Sequence, residues 1–271
     1  MIIPVTVVAI AMGVALLGAE SNSAVLAFNK GHYVVAHREW KSASELGDAN
    51  ARYNLAILYS RGLGVPKDVE QAYHWFQLAA DQGHTLAQYQ VGQVHEKGWG
   101  VAPDYGQAQH WYELAARRGE SQAEVGLAAL YEQGYGVEKD LKLAAQWYGM
   151  AANQGFAEAQ FRFGLLAEQG RGVARDDQEA ARWYGLAADQ GHALAQTRLG
   201  SLLASGKGVT KDETKAYFWL TLATKQNIKV AERHRAQLMK TLAPADVLKM
   251  EVSAVAWKSK APVAKATLTI P

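Results

Sequence analysis

The sequence predicts an all-α protein built as a solenoid of repeated helix pairs. The first observation is a 36-residue period, at which a tryptophan, an aspartate and a pair of glycines each recur five times. The second is that apolar residues within each unit follow helical spacing and not strand alternation. One helix pair cannot bury its apolar face alone, so neighbouring units must stack. The recurring residues are Trp75, Trp111, Trp147, Trp183 and Trp219; Asp68, Asp104, Asp140, Asp176 and Asp212; and Gly62/Gly64, Gly98/Gly100, Gly134/Gly136, Gly170/Gly172 and Gly206/Gly208.

Each unit is predicted to contain a first helix, a turn with two glycines and a second helix. In the first copy the first helix is predicted from about residue 49 to 60, and it stops at a turn containing Gly62 and Gly64. Paired glycines fit a left-handed helix end, where a Cβ would clash. Asp68 then precedes the next apolar run and is predicted to cap the second helix, which ends at Gly83.

Small residues predict how the helices meet. Ala72, Ala79 and Ala80 recur in the later copies, and position 56 is always alanine or glycine. Small side chains permit close backbone approach, and the tryptophan column is predicted to fill the space beside them.

The repeated motif resembles the Sel1-like repeat family, which is related to the tetratricopeptide repeats. It reads Ala-x-x-x-Leu-Ala/Gly-x-x-Tyr, Gly-x-Gly-Val, Asp, then Ala-x-x-Trp-Tyr/Phe-x-x-Ala-Ala-x-x-Gly. The resemblance implies a right-handed α/α superhelix whose first helices line the concave side, and an exported bacterial protein. Five copies are predicted over 48–83, 84–119, 120–155, 156–191 and 192–227.

The segments outside the repeats have separate predictions. Residues 1–19 carry no charge and are predicted to be a signal peptide, with a short membrane anchor or a buried terminal helix as alternatives. The segment 24–47 is predicted to be an N-terminal cap with one helix over about 31–46. Residues 228–260 are predicted to form C-terminal capping helices, over about 230–241 and 244–258, and 261–271 a tail without helical pattern.

Composition and motifs argue against catalysis, metal binding and nucleic-acid binding. The net charge is only +2 and cysteine is absent, which leaves no electrostatic case for nucleic acid and removes thiolate chemistry. The stretch from Gly200 to Gly208 fails as a phosphate-binding loop because its glycine spacing is wrong and Gly208 stands where a serine or threonine is needed. The eight histidines lack metal-site spacing on a helix face. We therefore predict a non-enzymatic protein without cofactor, metal or catalytic residues.

Binding is predicted on the first helices, at positions that vary between copies while the packing columns stay constant. We predict an extracytoplasmic scaffold that is periplasmic, secreted or anchored facing the periplasm, and that binds a protein or peptide partner. The alternatives are glycan binding, suggested by Trp99, Tyr135, Tyr53, Tyr89 and Phe161, and a hydrolase. The predicted partner-binding residues are Tyr53, Asn54, Ile57, Tyr89, Gln90, Gln93, Phe161, Arg162, Leu165 and Arg198.

Overall fold

A computed structural model describes residues 23–260 of the 271-residue chain. The signal peptide or anchor predicted over 1–19 and the tail predicted over 261–271 lie outside the described residues. Within the described part every regular element is a helix. The chain divides into two compact units, of which the described residues are 23–123 and 124–260.

The first unit contains two helices before the repeats and then the first two copies. Consecutive helices from α2 to α6 pack against each other. The elements are α1 (23–29), α2 (Tyr33–Glu45), α3 (Ala49–Arg61), α4 (Val69–Asp81), α5 (Thr85–Lys97), α6 (Tyr105–Ala116) and the start of α7 (Ser121–Gln133), within which the two units divide.

The second unit contains most of α7, the remaining repeat helices and two further helices. Here too, consecutive helices from α8 to α13 pack in pairs, and α14 packs on α12. The elements after α7 are α8 (Leu141–Asn153), α9 (Ala157–Gln169), α10 (Asp177–Asp189), α11 (Ala193–Ser205), α12 (Glu213–Lys225), α13 (Lys229–Leu238) and α14 (Pro244–Ala256).

The aspartate and glycine columns set the helix ends. Asp68, Asp104, Asp140, Asp176 and Asp212 stand at the N-caps of the second helices, and each accepts hydrogen bonds from free backbone amides of the first turn. Gly62 ends α3 in the left-handed region, with φ of +68°, a conformation that costs glycine little.

The deepest packing belongs to the column after tryptophan. Tyr112 is 1% exposed, and its ring leaves no room for a Cβ at Gly92 on the facing helix. Trp183 instead joins Ala151 and Ala152 of the preceding copy in one cluster. The side chain that fills each helix pair is therefore not the tryptophan, which packs between copies. The buried column consists of Phe76, Tyr112, Tyr148, Tyr184 and Leu220.

The segments flanking the repeats differ in detail from the sequence prediction. The N-terminal segment holds two helices, α1 and α2, and not one, because Phe28 of α1 packs against Tyr33 and Trp40 of α2. After the repeats, α13 ends at Leu238, three residues earlier than predicted. Trp257, directly after α14, packs edge-on against Trp219 with ring centroids 6.4 Å apart.

The predicted fold class, an α-solenoid of about 36-residue helix pairs, is confirmed. None of the helices over 23–260 is both long enough and apolar enough to cross a membrane.

Candidate protein-binding surface

The structure divides the ten predicted partner-binding residues into two groups. Five are buried and offer a partner almost no surface: Tyr53, Ile57, Tyr89, Gln90 and Phe161. The others keep accessible surface, and the side chains of Arg162 and Arg198 are 42% and 49% exposed. The accessible group is Asn54, Gln93, Arg162, Leu165 and Arg198.

The buried aromatic residues pack between neighbouring copies. Phe161 stacks on His192 with centroids 4.7 Å apart and lies 5.9 Å from the Tyr184 ring. Tyr53 stacks on His84 at 4.6 Å in the same way. Because these ring faces are covered by protein, they cannot stack on a sugar. Of the aromatic residues that suggested glycan binding, Trp99 is half-buried and Tyr135 is exposed.

The stacked histidines are also helix caps. His192 Nδ1 accepts a hydrogen bond from the Ala195 amide, as His84 Nδ1 does from that of Ala87. An accepting Nδ1 places the proton of a neutral imidazole on Nε2. His192 Nε2 lies 2.9 Å from Glu158 Oε2, so it donates to that carboxylate.

Glu158 connects the histidine to the predicted arginine. Arg162 Nε donates to Glu158 Oε1 at 2.6 Å. The hydrogen bond from His192, aided by Arg162, outweighs burial and lowers the pKa of the Glu158 carboxyl to about 2. Glu158 is therefore ionised at neutral pH, and it holds the half-exposed Arg162 guanidinium in place.

A second network, at the ends of the first helices, was missed by the sequence analysis. Tyr184 donates its hydroxyl proton to Glu168 Oε2 at 2.7 Å, and the Arg198 and Lys207 nitrogens each lie 3.8 Å from that carboxylate. In the preceding copy Tyr148 donates to Glu132 at 3.2 Å, and Arg171 lies 3.5 Å from Glu132.

A signal for this network is present in the sequence. A glutamate stands 16 residues before the buried tyrosine in the second, third and fourth copies, as in Glu96 and Tyr112, whose hydroxyl donates to Glu96 at 2.6 Å. The first copy replaces both residues, with Ser60 and Phe76. The two columns thus change together along the chain, as expected of residues in contact.

These tyrosines are structural hydrogen-bond donors. Burial raises the pKa of the Tyr112, Tyr148 and Tyr184 hydroxyls, and the nearby glutamates raise it further. A phenol with a raised pKa stays protonated at neutral pH and donates to the carboxylate.

Nothing over residues 23–260 assembles into a metal cluster of three or more His, Cys, Asp or Glu side chains. One serine contacts a histidine: Ser201 Oγ lies 3.0 Å from His234 Nδ1. The same hydroxyl donates to the Thr197 carbonyl at 3.0 Å, which occupies its proton within α11.

These features define an α-solenoid of helix-pair repeats with a variable charged surface on its first helices. The Sel1 repeat profile matches residues 49–84, 85–120, 120–156, 157–192 and 193–228. The chain belongs to the Sel1 repeat family, whose members are generally protein–protein interaction scaffolds.

Solved structures share the fold. A Sel1 repeat protein from Oxalobacter formigenes is 28% identical, with a TM-score of 0.75 over 87% of this chain and 99% of its own. A protective antigen of uropathogenic Escherichia coli with an SLR fold is 25% identical, with a TM-score of 0.60 over 93% of this chain and 66% of its own. A search of curated proteins gave no match.

Proposed function

We propose that this protein is a non-catalytic scaffold that binds a protein or peptide partner through the exposed edges of α9 and α11. The observation that carries the proposal is the exposure of Arg162 and Arg198 at the same position of successive copies, on a scaffold whose packing columns are constant. Surface positions that differ between copies, on a scaffold with constant packing, allow the surface to be selective for one partner.

Charge indicates what such a partner presents. Arg162 is held by Glu158, while Arg198 lies 3.8 Å from Glu168 and is the most exposed of the predicted residues. Guanidinium groups bind carboxylates with two parallel hydrogen bonds, and prior ordering lowers the entropy lost on binding. The proposed partner therefore places acidic side chains against α9 and α11.

We also propose that the protein works outside the cytoplasm, in the periplasm or secreted. The support is the uncharged apolar composition of residues 1–19, with a signal peptide expected and an anchor as the alternative. Intact mass of the protein recovered from an envelope fraction tests this, because a cleaved leader removes about 2 kDa, whereas an anchor leaves the full 29.5 kDa.

The binding test is a crosslinked pull-down from envelope extract with the full chain as bait. The double variant Arg162→Glu/Arg198→Glu is expected to lose the captured protein. Arg38→Glu is the matched control, because Arg38 is exposed on α2, which packs on α3 and belongs to the other unit of the chain. Thermal unfolding of each variant checks the fold. Equal capture by the double variant and the control would refute the assignment of α9 and α11.

A further inference from the structure

The first unit contains a cavity of about 310 Å³ between the first and second copies. Its lining combines the end of α3, one side of α4 and the glycine turn after α5. Much of the wall is aromatic or aliphatic, and the lining includes Ser60, Val69, Tyr73, Phe76, Val94 and Trp99. This volume lies at the lower end of the range for small-ligand pockets.

The cavity lies where other copies place a polar trio. Glu168 and Tyr184 of the fourth copy meet Lys207 of the fifth, and Glu132 and Tyr148 of the third copy meet Arg171 of the fourth. The aligned positions at the cavity are Ser60 and Phe76 of the first copy and Trp99 of the second. An acid, a phenol and a base are thus replaced here by a small residue and two aromatic rings.

The replacement of the polar trio explains both the volume of the cavity and its apolar lining. Serine is much shorter than glutamate, and phenylalanine lacks the hydroxyl of tyrosine, so the side chains that fill this position elsewhere are missing. The Ser60 hydroxyl already donates to the Ile57 carbonyl at 2.9 Å. The wall therefore favours an apolar ligand group. Aromatic side chains in the wall favour offset or edge-on contact with another ring.

We propose that this cavity receives one aromatic side chain of the protein partner. The inference rests on the proposed scaffold function and assigns it a specific anchor pocket, since buried aromatic anchors dominate protein interfaces. Lys67 also lines the cavity, is exposed, and forms no ion pair among the described residues. It favours an acidic residue beside the aromatic one, in agreement with the charge of the arginine surface.

The pocket is tested without knowing the partner. The probes are N-acetyl-tryptophanamide, N-acetyl-phenylalaninamide and N-acetyl-leucinamide, added to the full chain while the amide resonances of Gly98 and Gly100 are followed by NMR. Both glycines line the cavity. For probes of this size we expect the aromatic amides to bind with Kd on the order of 1 mM, and the leucine amide more weakly.

The decisive variant transfers the trio of Glu168, Tyr184 and Lys207 to the cavity: Ser60→Glu, Phe76→Tyr and Trp99→Lys. It fills the cavity with a trio that the chain already tolerates, and we expect aromatic binding to weaken at least about tenfold. If its thermal unfolding shows a lost fold, Ser60→Leu alone fills the space with apolar atoms. The reverse exchange, Glu168→Ser/Tyr184→Phe/Lys207→Trp, is expected to create aromatic binding between the fourth and fifth copies.

Two results would overturn the pocket: leucine amide binding as well as the aromatic amides, or equal aromatic binding by the filled variant. Pull-down separates this inference from the proposed function. If the filled variant captures the partner like wild type while the Arg162/Arg198 double variant does not, the anchor is refuted and the scaffold function stands. Loss of capture in both variants supports both proposals.

Discussion

The hydrogen bond from Tyr184 to Glu168 provides a quantitative test of the buried network. Tyr184 is fully buried and the Glu168 side chain is 14% exposed, so neither group exchanges its partner freely for water. The change Tyr184→Phe removes one oxygen and leaves the ring in place. A hydrogen bond to a charged group contributes about 1.5–3 kcal/mol, and we expect the free energy of unfolding to fall by this amount.

The assay is urea unfolding of Tyr184→Phe, Glu168→Ser and the double variant, which together form a double-mutant cycle. The double variant reproduces the Phe76 and Ser60 combination of the first copy. It leaves neither a buried hydroxyl nor a buried carboxylate without its partner. We therefore expect a coupling free energy of at least about 1 kcal/mol.

Tyr33→Phe is the control, because no hydrogen bond of the Tyr33 hydroxyl is found among the described residues and its ring packs on Phe28. Its loss of stability should stay within about 0.5 kcal/mol. Additive effects of the two single changes, with coupling below about 0.5 kcal/mol, would show that Tyr184 and Glu168 do not act as a pair.

Four further predictions concern other parts of the repeats. Gly172→Ala is expected to cost more than about 2 kcal/mol, because φ is +73° and the new Cβ would overlap the Leu141 carbonyl. Gly185→Ala in α10, where a Cβ meets nothing within 4 Å, should be neutral or stabilise by up to about 1 kcal/mol. Equal urea midpoints for the two glycine variants would contradict this difference. Glu158→Gln should destabilise the protein at pH 7, because the depressed folded-state pKa contributes stability above the ordinary value of 4.5 that is lost as pH falls towards about 2. Urea titrations at pH 7 and pH 3 should show the variant's deficit shrinking, and an unchanged deficit would disprove the linkage. Trp183→Ala should cost about 3–5 kcal/mol, because the ring is 5% exposed and lies 4.1 Å below the Arg182 guanidinium; a shift of thermal midpoint below about 3 °C would contradict this.

Periodicity made the repeat helices predictable from sequence. Each helix boundary depends on residues within a few positions, such as the Asp68 cap and the left-handed Gly62. Local sequence signals of this kind predict helix ends without knowledge of the tertiary structure. Helix α1 lies before the first copy and carries no such repeat, so only its contacts with Tyr33 and Trp40 reveal it.

The candidate surface was less predictable because variability between copies has two causes. Arg162 and Arg198 vary and are accessible, but Tyr53 and Phe161 vary and are buried. The residues that cover Tyr53 and Phe161 are His84 and His192, each 31 residues downstream in the next copy. Comparing single columns cannot reveal such a pairing, whereas comparing columns jointly would have found the glutamate and tyrosine network.

Three boundaries along the solenoid are joined by a side-chain amide at a constant spacing. Gln82, Gln190 and Gln226 each donate to the carbonyl of a glycine 35 residues earlier, at 3.0, 2.9 and 3.1 Å. Because these three junctions share one bond, duplication or deletion of a whole 36-residue unit at one of them would recreate the same bond at the new junction. A change of any other length would leave the glutamine facing the wrong residue. Whole units can thus be added or removed at these junctions without redesigning the bond that joins them.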